Sequence, residues 1–226
     1  MQAHLIRSAA LGYLNQWDKT DLPLATRLRA DTHARDLALD FHELATKYNV
    51  VRNFDTKEAK KTGPKEVDRL WGKVARAVCA VEVSEDSPEK QVHALAKKLG
   101  EIFPRSSGKR QPFLLSAATK FLWFRGHTSI RIYDKRAVDA LNALIKARGE
   151  TNKVNGDYKE FADEWETEYK RLLPNIRTAI RELPDVAKWS GIPEGKARDQ
   201  ALKDCKRVWF RDRVFDKYLW ALGEKD

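Results

Sequence analysis

The chain has 226 residues, 42% hydrophobic and 10% aromatic, a composition that excludes a disordered tail and allows one substantial core or two small ones. No apolar run approaches the roughly 20 residues of a membrane span, and the opening stretch "MQAHLIRSAALGYLNQW" is broken by polar side chains too early for a signal peptide. A cytoplasmic protein is expected, with no membrane partner and no obligate protein partner, while the net charge of +10 points to a polyanionic one: DNA, RNA or anionic lipid.

Apolar residues recur at helical spacing almost throughout. Residues 3–15 predict an amphipathic helix, and residues 24–51 a long one with Leu37, Phe41, Leu44, Ala45 and Tyr48 on one face. After the polar stretch 53–65, a helix over 67–83 aligns Leu70, Trp71, Val74, Val78 and Cys79. Ser87-Pro88 is a helix start signal, followed by the stripe Val92, Leu95, Leu99 and Phe103. The loop 104–112 is basic. A helix over 113–125 ends near Gly126, residues 128–134 read as extended, and Asp134 suits the N-cap of the next helix. Beyond a polar break at 149–157, Tyr158, Phe161, Trp165, Tyr169 and Leu172 share a face, and 197–222 holds one long helix or two short ones. The expected class is all-α, either one unit over 1–226 or two closely packed lobes, 1–103 and 113–226, joined by the loop 104–112.

Cys79 and Cys205 form no C-x-x-C pair and the five histidines no ligand spacing, so no cofactor or metal is expected. Cys79, within "VARAVCAVEV", is expected to be a small buried residue.

Chemistry concentrates between residues 105 and 136, which carry eight Lys or Arg and one acid. Lys120 stands in the apolar run "AATKFLWF", where desolvation disfavours the charged amine, and a neutral amine can attack an electrophilic carbon to form a Schiff base. Asp134, at a helix N-terminus, retains a charge able to stabilise a cationic transition state. The plain alternative makes Lys120 a side chain that reaches solvent from an apolar helix and Asp134 only a cap. "AATKFLWF" followed by "IRIYDKRAV" resembles the Lys and Asp segments of helix-hairpin-helix DNA glycosylases, of the 8-oxoguanine branch in particular. The C-terminal "RDRVFDKYLWALG" is similar to the closing helix of bacterial members. This resemblance implies that Lys120 is the nucleophile and Asp134 the essential carboxylate in excising a modified base, an oxidised purine or a bulky phage-type base. The sequence departs from that family where "PFLLSAATK" lacks the glycine-bearing L-P-G-V-G hairpin.

Under this reading Arg105, Lys109, Arg110, Arg125, Arg131, Lys135 and Arg136 would contact DNA phosphates. Trp123, Phe124, His127 and Tyr133 would flank a flipped base or else pack in the core. Two readings compete. Arg27 and His33 form the R-x5-H spacing of HEPN-like ribonucleases, although Leu28 stands where those carry a polar residue. A basic DNA-binding protein without chemistry also fits the charge. Glu58 and Lys60 have the spacing of a PD-(D/E)xK nuclease but lie in a segment too polar for its buried strand.

Overall fold

In the computed structural model the described residues are 2–30, 37–54, 64–82, 87–103 and 113–224, and all regular structure among them is helical. Helix α1 (Gln2–Gln16) runs into a π-helical turn at Trp17–Asp21, then α2 (Leu22–Arg29), α3 (Leu37–Lys47), a 3-10 turn at Val51–Asn53, α4 (Pro64–Cys79), α5 (Pro88–Ile102) and α6 (Leu115–Phe124). There follow α7 (Lys135–Ala147), α8 (Tyr158–Arg181), the single turn α9 (Leu183–Val186), α10 (Lys196–Asp204) and α11 (Val208–Leu222). Contacts group the chain into two units, the first formed by Met1–Pro23 and Tyr133–Asp226, the second by Leu24–Ile132. Both flanks of the loop 104–112 belong to the second unit, where the Leu114 N–H donates to the Ala96 carbonyl at 3.3 Å. Among the described residues, no helix is long and apolar enough to cross a membrane.

In the first unit α1 packs on α8 and α11, and α11 also packs on α7. The shared core is aromatic: Tyr13 meets Phe210 at 5.0 Å, and Phe215 stands edge-on to Trp165 at 4.9 Å. The apolar face read from the sequence runs from Tyr158 to Leu172, yet α8 continues past Pro174 to Arg181. A proline inside a helix removes one hydrogen bond and crowds the preceding turn. Burial of Ile176 and Ala179, which extend the stripe of Phe161, Trp165, Tyr169 and Leu172, offsets that cost.

The second unit is centred on Phe54. Its ring lies 4.6 Å from Phe103, 5.3 Å from Trp71 and 6.2 Å from Phe121, so the turn after α3 is pinned to α4, α5 and α6. Two expectations are corrected here. The long helix over 24–51 is two helices, since α2 stops at Arg29 and α3 stops at Lys47. Asn49, at φ 52, takes the left-handed C-terminal position, and the Val50 N–H closes on the Ala45 carbonyl at 2.8 Å. The stretch 128–134 is extended only in part: its first residues turn, while Asp134 is extended at φ −142, ψ 144. The Thr128 N–H bonds the Gly126 carbonyl at 2.9 Å and Ile130 that of His127 at 3.0 Å, turning the chain where alternation suggested extension.

Between α7 and α8, Arg148 donates to Glu150 at 2.7 Å, to Glu164 at 2.8 Å and to the fully buried Glu168, which also accepts from Arg171 at 2.7 Å. These carboxylates, Glu150 foremost, hold the Arg148 guanidinium above its ordinary pKa. Removing one cation from a buried carboxylate is costly. Arg148→Met is therefore expected to destabilise the protein by about 2 kcal/mol or more, read from the midpoint of denaturant unfolding, whereas Arg7→Met, which breaks an exposed pair with Glu182, should barely move it.

Candidate functional site

Lys120 lies in the second unit, on α6, and is only 2% exposed. Its Nζ donates to Ser116 Oγ at 2.7 Å, one turn earlier, and lies 6.0 Å from the centre of the Tyr48 ring. Phe121 and Phe124 on the same helix are fully buried, the first against Phe41 at 5.2 Å and the second against Tyr48 at 5.4 Å. Trp123 is 1% exposed. Phe124 and Trp123, expected as base-pocket candidates, are thus part of the core around Lys120.

The end of α6 is fixed by backbone chemistry. Gly126 has φ 108, and its N–H bonds the Trp123 carbonyl at 3.0 Å while His127 N–H bonds that of Leu122 at 3.1 Å. This paired closure requires a left-handed residue, which glycine supplies without a side-chain clash. Arg29 covers the last carbonyls, donating to Phe124 at 3.2 Å and Trp123 at 3.4 Å, with its guanidinium 5.5 Å from the Trp123 ring. Arg125 donates to the Leu28 carbonyl. His127 is half-buried, and burial followed by the charge of Arg125 holds its pKa below the usual value, leaving a neutral ring at pH 7.

Asp134 lies in the first unit as the N-cap of α7, with φ −142 and ψ 144, and accepts from the Arg136 N–H at 3.0 Å. Next to it Tyr133 stands edge-on to Phe161 at 5.0 Å, and burial, then Asp134 and Asp139, push its phenol above the ordinary pKa. The first turn of α7 is clamped from α11. The Arg136 guanidinium pairs with Glu224 at 2.8 Å and lies 4.1 Å from the Trp220 ring. The backbone of Gly223 approaches the Arg136 carbonyl so closely that a Cβ would overlap it.

Of the seven cations expected on DNA, Lys135 pairs with Asp139, Arg136 with Glu224, and Arg125 with a backbone carbonyl, while Arg131 is half-buried. Arg105, Lys109 and Arg110 lie outside the described residues, as do His33, Glu58 and Lys60. Arg27, the other half of the R-x5-H spacing, is engaged by Asp40 at 2.6 Å and Glu43 at 2.5 Å, which compete with any phosphate for its guanidinium. Among the described residues, no group of three or more His, Cys, Asp or Glu side chains is placed to hold a metal ion. Sequence reading overlooked Ser116, Tyr48 and Arg29. Ser116 was legible as the residue four before Lys120, on the same helical face. The other two are non-local.

Comparison with known protein families, curated proteins and solved structures finds no match to this chain.

Cys79, expected to be buried, is exposed, and Cys205 is buried. Val78 turns inward at the end of α4 and leaves Cys79 outside, while burial pushes the Cys205 thiol up to about 12. A thiol-labelling reagent on the native protein at pH 7.5 (about one unit below an unperturbed thiol) should therefore modify Cys79 and spare Cys205; modification of both at equal rates would contradict this placement. For the clamp on α7, Gly223→Ala is expected to lower stability by about 1–3 kcal/mol through overpacking against Arg136, with the loss read by thermal or denaturant unfolding.

Proposed function

We propose that the protein is a DNA glycosylase whose nucleophile is Lys120. The observation that carries this reading is the amine itself: a lysine 2% exposed, within an apolar helix, held by a serine hydroxyl one turn away. Structural lysines ordinarily carry the ammonium to solvent. A buried amine is favoured where its neutral form is used, as in Schiff-base catalysis. In the proposed reaction Nζ bonds to the anomeric carbon of the nucleotide as the glycosidic bond breaks, and the electron pair leaves with the base, which takes a proton from solvent. Loss of the amine protons and opening of the sugar then give an imine. On the resemblance to helix-hairpin-helix glycosylases, Asp134 is assigned the carboxylate of the reaction. Its support is its position in the order Lys, connection, Asp at a helix start, and its bond to the Arg136 N–H orients the side chain.

The substrate class is an oxidised purine or a bulky modified base in DNA. The engagement of Arg27 by two carboxylates weighs against the ribonuclease alternative. The decisive experiment is reductive trapping. Incubation with duplexes carrying candidate modified bases or an abasic site, in borohydride, should yield a covalent protein–DNA adduct that Lys120→Gln abolishes. Asp134→Asn should lower base release by at least about 100-fold while leaving the fold intact, because Asn caps a helix about as well as Asp. Neither release nor trapping across oxidised, deaminated, alkylated and bulky bases would leave a DNA-binding protein without chemistry as the better account.

A further inference from the structure

Within the first unit, α8 and the corner from α10 into α11 enclose a groove of about 600 Å³. Arg177, Thr178 and Arg181 line it from α8, and Cys205, Lys206 and Arg211 from the opposite side. Four of these side chains are cationic and none is acidic. Arg177, Arg181 and Lys206 are exposed, whereas the Nε of Arg211 is shielded from solvent and has no hydrogen-bond partner. Arg181 donates to Thr178 Oγ1 at 3.1 Å. The nearby carboxylate Glu182 is already held by Arg7 at 2.6 Å. Cys205 adds no negative charge, since burial keeps it a neutral thiol.

This grouping differs from the other basic surfaces of the molecule. The groove between α4 and α5 brings together Lys73, Arg76 and Lys98, but it also contains Glu101, which pairs with Lys98 at 3.2 Å. Around α7, Lys135, Arg136 and Arg148 all have carboxylate partners. Among the described residues, none of the four converging cations is ion-paired with a carboxylate, so they repel one another. An anionic ligand relieves that repulsion. Guanidinium groups fit phosphate oxygens with two parallel hydrogen bonds, and three of the four cations are arginines. At about 600 Å³ the groove is several times larger than one tetrahedral oxyanion, which suits a run of phosphates rather than a single one.

We infer that this groove binds the phosphodiester backbone of a nucleic acid. The inference does not depend on Lys120 or Asp134, and it is tested on undamaged DNA, so failure of the glycosylase chemistry leaves the test unaffected. Binding of a labelled duplex of about 20 base pairs is measured by anisotropy over a range of salt concentrations. The protein is compared with a groove variant, Arg177→Gln with Arg181→Gln and Lys206→Gln, and with a charge-matched control, Lys153→Gln with Lys188→Gln and Lys196→Gln. All six positions are exposed, so both variants are expected to fold, and thermal unfolding checks it. The groove variant should bind at least about tenfold more weakly, with a salt slope lower by about 2 to 3 units, one for each phosphate that is no longer neutralised. The control should keep the slope of the parent. Equal losses in both variants, or an unchanged slope in the groove variant, would overturn the assignment. So would groove-dependent binding of inorganic phosphate with unaltered duplex affinity, which would make the groove a small-anion site.

Discussion

Arg213 organises the first unit. Its guanidinium group, on a residue 5% exposed, donates to Asp216 at 2.9 Å, lies 3.8 Å from the fully buried Asp21, and stands 5.2 Å from the Tyr13 ring. A charge at that depth is tolerable only when it is paired with opposite charge. The partners come from distant parts of the chain: Asp21 closes the π-helical turn after α1, and Trp165 of α8 donates to Asp216 at 2.8 Å. Burial raises the Asp216 carboxyl above its ordinary pKa, against the pull of Arg213 and Trp165. The π turn belongs to the same constraint, since inserting an extra residue per turn re-aims the side chains that follow it.

The position of α11 carries that constraint to α7. Through Gly223 and Glu224 the end of α11 meets Arg136, which lies two residues after Asp134 and supplies the N–H that Asp134 accepts. The carboxylate is therefore oriented by a short series of contacts that begins in the core of the first unit. Lys120 is held differently. Its helix is fixed by the aromatic cluster around Phe54 at one side and by the Gly126 turn with Arg29 at its end, while Ser116 fixes the amine. Side chains that act on a substrate gain from such pre-organisation because less reorganisation accompanies the reaction.

Charge in this protein falls into two populations. Lys135, Arg136, Arg148 and Arg171 are paired with carboxylates, and such pairs serve mainly to fix geometry. The cations of the α8–α10–α11 groove have no ion-pair partner among the described residues. A net charge of +10 says only that cations outnumber acids. Where each population lies depends on which acids the fold brings within reach of which bases.

Much of the helical architecture could be read from spacing. The stripes Val92, Leu95, Leu99, Phe103 and Tyr158, Phe161, Trp165, Leu172 are buried as their periodicity implies, because burying one face dictates a 3.6-residue repeat. Gly126 as a stop and Asp134 as a cap were likewise local signals, each set by backbone geometry within a few residues. Continuation of α8 past Pro174 was not legible, since the burial of Ile176 and Ala179 that sustains it comes from other helices. Nor was the exposure of Cys79, which depends on where its helix ends against its neighbours. The sequence by itself determined the all-α class and the helical setting of Lys120 and Asp134, because both follow from interactions between residues close along the chain. Tertiary structure alone decided that Trp123 and Phe124 are core, that Arg213 is buried with Asp21, and that four cations converge without acids. Burial and pairing are properties of neighbours in space, and no local pattern encodes which neighbours those will be.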